Sequence, residues 1–285
     1  MRPMIFSLLL ALTAPALSAP SVADAQAAQG DVDGLLARAR AIYDRAAEPE
    51  LSYDVLGRLL IYRQALAELE NGLARYGSDA RVMQQRNFYR GAIAEVLAAT
   101  GGTAEAQAIV SLALPSASEL HTANPNNLTY AYDYARLLRT RVTMGMAARQ
   151  HGTVREDALQ VVALFEQVLV SDPRSYEFRR LLAVDLDNAA EIARIVGDVS
   201  GADPMSQRAL DLFREMAVEL PDDRRTQGSL LIALIRRAQT LRSLPLLDEA
   251  DDQIAAMRTR GLLTERYANM PGLVSRLRAE FAGGN

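Results

Sequence analysis

Residues 162–173 read Val162-Ala163-Leu164-Phe165-Glu166-Gln167-Val168-Leu169-Val170-Ser171-Asp172-Pro173. Forty-eight positions on, the chain reads Leu210-Asp211-Leu212-Phe213-Arg214-Glu215-Met216-Ala217-Val218-Glu219-Leu220-Pro221. Three apolar columns coincide, Val162 with Leu210, Phe165 with Phe213 and Leu169 with Ala217, and both runs end on proline. Apolar residues three and four apart mark one face of a helix, and the proline marks its end. The same punctuation recurs outward in both directions: Gly77, Pro125, Pro173 and Pro221 are 48 residues apart, and Pro271 follows after 50.

Each marker precedes a stretch of about 20 residues with apolar side chains at helical spacing. The first of these helices, termed A, carries Val82, Phe88, Tyr89, Ile93, Val96 and Leu97, and the next Tyr130, Tyr134, Leu137, Leu138 and Met144. Phe178, Leu182, Leu186, Ala189, Ile192 and Val196 follow, then Leu230, Leu231, Leu234, Leu241 and Leu244. Gly101, Gly197 and Pro245 lie 24 residues after their markers and stop helix A, with Gly152 slightly displaced in the unit between. A second helix, B, is expected to start at Thr103, Thr153, Asp203-Pro204 and Asp248-Glu249, where an acceptor side chain, an early proline or early acids suit an N-terminus. Before Gly77, residues 35–45 and 53–76 form an incomplete first unit, the second helix capped by Ser52. Hairpins that cannot bury their own apolar face must stack, so the pattern predicts an all-α chain, an α-solenoid of stacked antiparallel helical hairpins. An ordinary helical bundle with coincident spacing is the alternative.

The runs ending at Pro173 and Pro221, each with a helix-B aromatic and a closing proline, resemble tetratricopeptide (TPR) repeats. The resemblance covers residues 31–281 and is strongest between Asn127 and Leu241. The unit is longer than the usual one of about 34 residues, and so resembles the extended repeats appended to some bacterial kinases and protease-like proteins. Pro115 departs from the pattern, since it falls within helix B of its unit and is expected to break or kink it. The resemblance implies a concave binding surface and a scaffold or adaptor role.

Composition narrows the chemistry. Trp is absent and aromatics make up 6% of the 285 residues, which suits many small helix–helix contacts. A net charge of -4 without a basic block gives no footprint for nucleic acid. With no Cys there is no disulfide, thiol nucleophile or thiolate metal site. His121 and His151 are the two histidines and stand in no ligand-spaced motif; His121 falls in a packing column and His151 in a turn. No serine-nucleophile elbow, phosphate loop or dinucleotide turn occurs, nor the Glu-Ser pair of lytic transglycosylases. The acids Asp248, Glu249, Asp251 and Asp252 read as a helix start complementing the macrodipole rather than a calcium loop. No catalytic residue, metal site or cofactor is therefore expected.

Residues 1–25 read as a signal peptide: Arg2, an apolar stretch from Met4 to Leu17, and Ala23-Asp24-Ala25 before a cut at Gln26, with a cut after Ala27 the near alternative. The apolar stretch is shorter than the roughly 20 residues that span a bilayer. The expectation is a periplasmic or secreted protein, residues 26–285 forming one repeat domain with no membrane insertion after cleavage.

The face of helix A opposite its core stripe bears Tyr132, Arg136 and Arg139, with Arg180 extending the patch into the next repeat. In a TPR-like stack the A helices line the groove, so these four residues are the expected partner-binding site. An Arg/Tyr patch suits an acidic or C-terminal carboxylate of a protein or peptide partner; a solvated face whose amphipathic stems lie over apolar neighbours is the other reading. A scaffold, an enzyme or accessory acting on wall or carbohydrate, and a carrier of an apolar ligand are the three function classes, the first favoured.

Overall fold

The computed structural model describes residues 22–51, 54–76 and 78–283, without the side chains of residues 22–30, Glu50 and Ala74. Positions 1–21 of the expected signal peptide, the turn at Gly77 and the expected cap Ser52 lie outside the described residues. The first unit comprises α1 (Val22–Asp44), α2 (Val55–Asn71) and the single turn α3 (Leu73–Tyr76). The A helices are α4 (Ala80–Thr100), α6 (Leu128–Ala147), α8 (Tyr176–Ile195) and α10 (Arg224–Leu241), each beginning 48 residues after the last. They alternate with the B helices α5 (Thr103–Ala123), α7 (His151–Ser171), α9 (Val199–Glu219) and α11 (Leu244–Thr259), and α12 (Met270–Gly283) closes the stack. Each long helix packs on its sequence neighbour, which makes the architecture a row of antiparallel hairpins.

The period is written into the turns. In the B-to-A connections the N–H of Asn127 donates to the Asn124 carbonyl, Ser175 to Asp172 and Asp223 to Leu220. Pro125, Pro173 and Pro221 take the second position of these turns, where the ring pre-sets φ. The fourth turn residue is then the N-cap: Asp79, Asn127, Ser175 and Asp223, again 48 apart, each accept from a backbone N–H of the first helical turn. Each cap stabilises its helix by about 1 kcal/mol.

The opposite ends share one geometry with two different residues. Gly101, Arg149, Gly197 and Arg242 all adopt left-handed backbone, with φ of 90°, 59°, 87° and 51°. The next N–H closes a 6→1 bond in each case: Gly102 to Leu97, Gln150 to Gly145, Asp198 to Ala193 and Ser243 to Ala238. Gly152 and Pro245, expected as the stops of the second and fourth units, instead lie inside α7 and α11.

Other expectations need correction. Helix α5 runs unbroken through Pro115, because the ring sits on the exposed face and Ser111, whose carbonyl loses its helical partner, is exposed on the same side. Pro204 is an interior residue of α9 rather than its start, with Ser200 exposed in the same way; the cap is Asp198, whose carboxylate accepts from Gly201 N–H at 2.9 Å. Asp54 caps α2, and Gly72 separates it from α3, so residues 53–76 are not one helix. Asp248 and Glu249 lie beyond the first turn of α11, which Ser243 caps, and pair with Arg278 and Arg214. Val196, Leu241 and Leu244 are exposed at helix ends instead of in the core.

The core is continuous from Leu59 to Leu277 and is built from small side chains with Phe165 and Phe213 as its largest helix-B members. At the N-terminal end Tyr43 stacks on Tyr62 and Tyr89, at 4.9 and 5.1 Å between ring centroids. At the other end Tyr267, buried in the loop before α12, lies so close over Gly228 that a Cβ there would sit 2.0 Å from its hydroxyl.

Candidate functional site

Helix A must bury two flanks against B helices and one edge against the preceding A helix, leaving a single narrow stripe. In α6 that stripe is Thr129, Tyr132, Arg136, Arg139 and Thr143, at the three- and four-residue spacing of one helix face. The equivalent stripe in α8 holds Glu177, Arg180, Val184, Asn188 and Glu191. α4 packs against α6 and α8 against α10, whereas successive B helices are joined across the outer face by long pairs such as Arg208–Glu166 and Arg214–Glu249. The A helices therefore line the inner, concave side, and Tyr132, Arg136, Arg139 and Arg180 lie together on it.

They are not free charges. Arg136 is bidentate to Glu95 of α4, at 2.8 and 2.6 Å, and its guanidinium lies 5.0 Å from the Phe88 ring centroid. Its side chain keeps only 13% of its exposure. Burial works against its charge, but the Glu95 carboxylate outweighs burial and raises its pKa. Arg139 shares Glu95 at 3.5 Å, is more exposed at 22%, and sits over the Phe165 ring at 5.7 Å. Arg180 is buried and bidentate to Glu177, three residues back on its own helix, at 2.9 and 2.6 Å. Tyr132 is half-buried, edge-on to Phe165 at 5.9 Å and tilted over Phe178 at 6.2 Å, and burial raises its phenol pKa. The four residues expected to bind a partner thus form, with Glu95 and Glu177, a pre-formed set of ion pairs and ring contacts in which Arg139 makes the longest bond.

Three carboxylates unremarked in the sequence lie buried beside this stripe, between the helices. Asp133 of α6 accepts from Gln84 of α4 at 2.5 Å, and burial pushes its pKa up to about 6 against the opposing effects of Gln84 and Arg136. Asp187 of α8 pairs with Arg236 of α10, and burial raises its pKa too. Asp185 is 3% exposed and one of its oxygens has no hydrogen-bond partner; burial pushes it up to about 7, with Arg139 and Arg180 pulling the other way. The signal was present, since an Asp at an interior position of an apolar helix stripe is rarely silent.

Two small clefts open on this face. One, of about 200 Å³, is lined by Glu95, Ala98, Ala99, Arg139, Thr140 and Thr143; the other, of about 170 Å³, lies between α8 and α10 beside Arg236 and Arg266. A cavity of about 350 Å³ between α5, α6 and α7 has an apolar floor of Val110, Met144 and Val154 under the Arg141–Asp157 pair. His121 is half-buried with its ring 6.0 Å from that of Tyr134, and His151 opens α7.

No protein-family model and no curated protein sequence matches the chain. Among solved structures the fold is similar to BtubC (BKLC) from P. vanneervenii, with a TM-score of 0.53 and 16% identity over 82% of this chain and 86% of that one. A second similarity, to a putative kinesin light chain of Podosopora anserina with nearly identical TPR-like repeats, has a TM-score of 0.43 and 19% identity over 81% of this chain and 98% of that one. Helical hairpins stacked at a fixed period, with the A helices inside, make this chain a TPR-like α-solenoid.

Proposed function

We propose that the protein is an exported, periplasmic or secreted, non-enzymatic scaffold that holds a protein or peptide partner against the concave stripe of α6 and α8. TPR-like repeat proteins are in general protein-interaction scaffolds, and that supports the class of function. The observation that carries the location is the grouping of Tyr132, Arg136, Arg139 and Arg180 on one inward face, since aromatic and guanidinium groups held rigid by neighbours are the preferred anchors of interfaces. Arg136, fixed by Glu95, positions Arg139 and the Phe88 ring. An acidic or carboxylate-bearing segment suits Arg139, whose bond to Glu95 is the longest of the network.

The experiment is photo-crosslinking of the full chain in cells from single positions, Thr129 and Thr143 on the concave stripe against Leu112 on the outer face of α5. One partner band from the concave positions, weakened by Arg139→Glu, is expected. Crosslinks from Leu112 alone would move the interface to the convex side. For export, intact-mass analysis should give Gln26 or Ala28 as the first residue, and soluble protein retaining Met1 would contradict it.

A further inference from the structure

Consecutive A helices meet along three seams in the central stack, and the described residues treat them differently. The α4/α6 seam is bridged by Gln84–Asp133 and by Glu95 with Arg136 and Arg139. The α8/α10 seam is bridged by Arg236 with Asp187 and Asn188, and by the Tyr176 hydroxyl with Thr226 at 2.6 Å. Between α6 and α8 there is no hydrogen bond or ion pair among the described residues, the two helices meet sparingly, and the Tyr132–Phe178 ring contact spans the gap. Beside this unbridged seam lies Asp185, buried with one oxygen unpartnered.

The groups facing Asp185 explain how the seam is poised. Arg139, on the neighbouring α6, acts on it through its charge but is bonded to Glu95 of α4 at 3.5 Å. Arg180, on α8 itself, is held by Glu177. Asp187, the other carboxylate of this segment, is engaged by Arg236 of α10. α7 and α9 pack α8 with apolar side chains, among them Phe165, Val168, Leu210 and Phe213, and the Glu219 carboxylate of α9 is taken by Arg179. Asp185 is therefore neutralised in place by a proton, and across the seam the cation that can replace that proton is Arg139, whose bond to Glu95 is longer than that of Arg180 to Glu177. A neutral Asp185 leaves the arrangement seen here undisturbed. An ionised one is a buried unpaired charge, which is costly enough to recruit a neighbouring cation.

We propose that the α6/α8 seam is a pH-sensitive hinge of the solenoid, closed by an Arg139–Asp185 bridge when Asp185 is ionised and released when it is protonated. The rigid blocks on either side are the units up to α7, fastened by the Glu95 network, and those from α8 onward, fastened by Asp187–Arg236. Closing draws α8 toward α6 on the inner side and tightens the curvature of the concave face. The hinge operates whether or not that face binds the proposed partner.

The chain lacks cysteine, so spin labels can be placed at will. Ala99, Ala147 and Ile195 are exposed equivalents in α4, α6 and α8. Electron–electron distances in the full chain carrying Ala147→Cys and Ile195→Cys should shorten between pH 5 and pH 8.5. The pair Ala99→Cys and Ala147→Cys, across the bridged seam, should stay constant. Asp185→Asn should hold the 147/195 pair at its acid distance at every pH, and Arg139→Gln should abolish the shortening while leaving the helical circular dichroism intact. A 147/195 distance that is the same at both pH values, or a shift that survives Asp185→Asn, overturns the hinge.

Discussion

Replacing Asp185 by asparagine isolates one buried carboxylate in a side chain of the same shape. Its folded-state pKa, about 7, lies above the ordinary value of 3.8, so between those values the folded chain binds a proton that the unfolded chain does not. The sign follows: the contribution of this group to stability is full below pH 4, declines as the pH rises through 7, and is absent above it. At about 1.36 kcal/mol for each tenfold in proton affinity, the part of that gap above pH 4.5 gives a pH-dependent loss of about 3 kcal/mol between pH 4.5 and pH 8.5. The loss is smaller to the extent that Arg139 abandons Glu95 for Asp185. Asp185→Asn removes the titration, and any cost of burying an unpaired amide applies equally at both pH values. Urea unfolding of the chain, followed by circular dichroism, should therefore show the variant gaining about 2–3 kcal/mol over wild type on going from pH 4.5 to pH 8.5. If the difference between variant and wild type is the same at the two pH values, Asp185 does not titrate in this range and the reading of its environment is wrong.

The repeat geometry sets three more outcomes. Arg149→Gly should stabilise the fold by about 1 kcal/mol, because an exposed left-handed residue loses its Cβ penalty; equal or lower thermal midpoints would show that the strain is absent. Asn127→Ala should cost about 1 kcal/mol by leaving the Thr129 and Tyr130 N–H groups without their cap, an effect Asn127→Asp should largely spare. Phe213→Ala should cost about 3–5 kcal/mol, since that ring is almost wholly buried, and hydrogen exchange should rise most in α8, α9 and α10 while α1 and α2 change little; uniform loss of protection would argue for one cooperative core.

Much of the fold was legible in the one-dimensional pattern because its causes are local. Proline in the second turn position, a short polar acceptor two residues later and an apolar stripe after that are nearest-neighbour requirements, and they recur at 125/127, 173/175 and 221/223. The stripe Tyr132, Arg136 and Arg139 was legible too, since helical periodicity fixes which residues share a face. Arg149 and Arg242 were missed as helix stops because arginine carries no left-handed preference; only the closing of the 6→1 bond shows that they take the place held by Gly101 and Gly197 in the other units. Pro115 misled because its cost depends on whether the orphaned carbonyl meets water, which is a matter of which side of α5 faces out.

The helices, their 48-residue period and the stripe opposite the core follow from local pattern, because each depends on residues within one or two turns of one another. Tertiary structure alone decided which charges are spoken for. Glu95 stands 41 residues before Arg136, and Asp187 stands 49 before Arg236. Coulomb attraction and burial act through space, so no spacing rule along the chain could say that Arg136 is fastened at 2.6 Å, that Arg139 is held at 3.5 Å, and that Asp185 lies buried with an unpartnered oxygen at the seam that no hydrogen bond or ion pair among the described residues bridges.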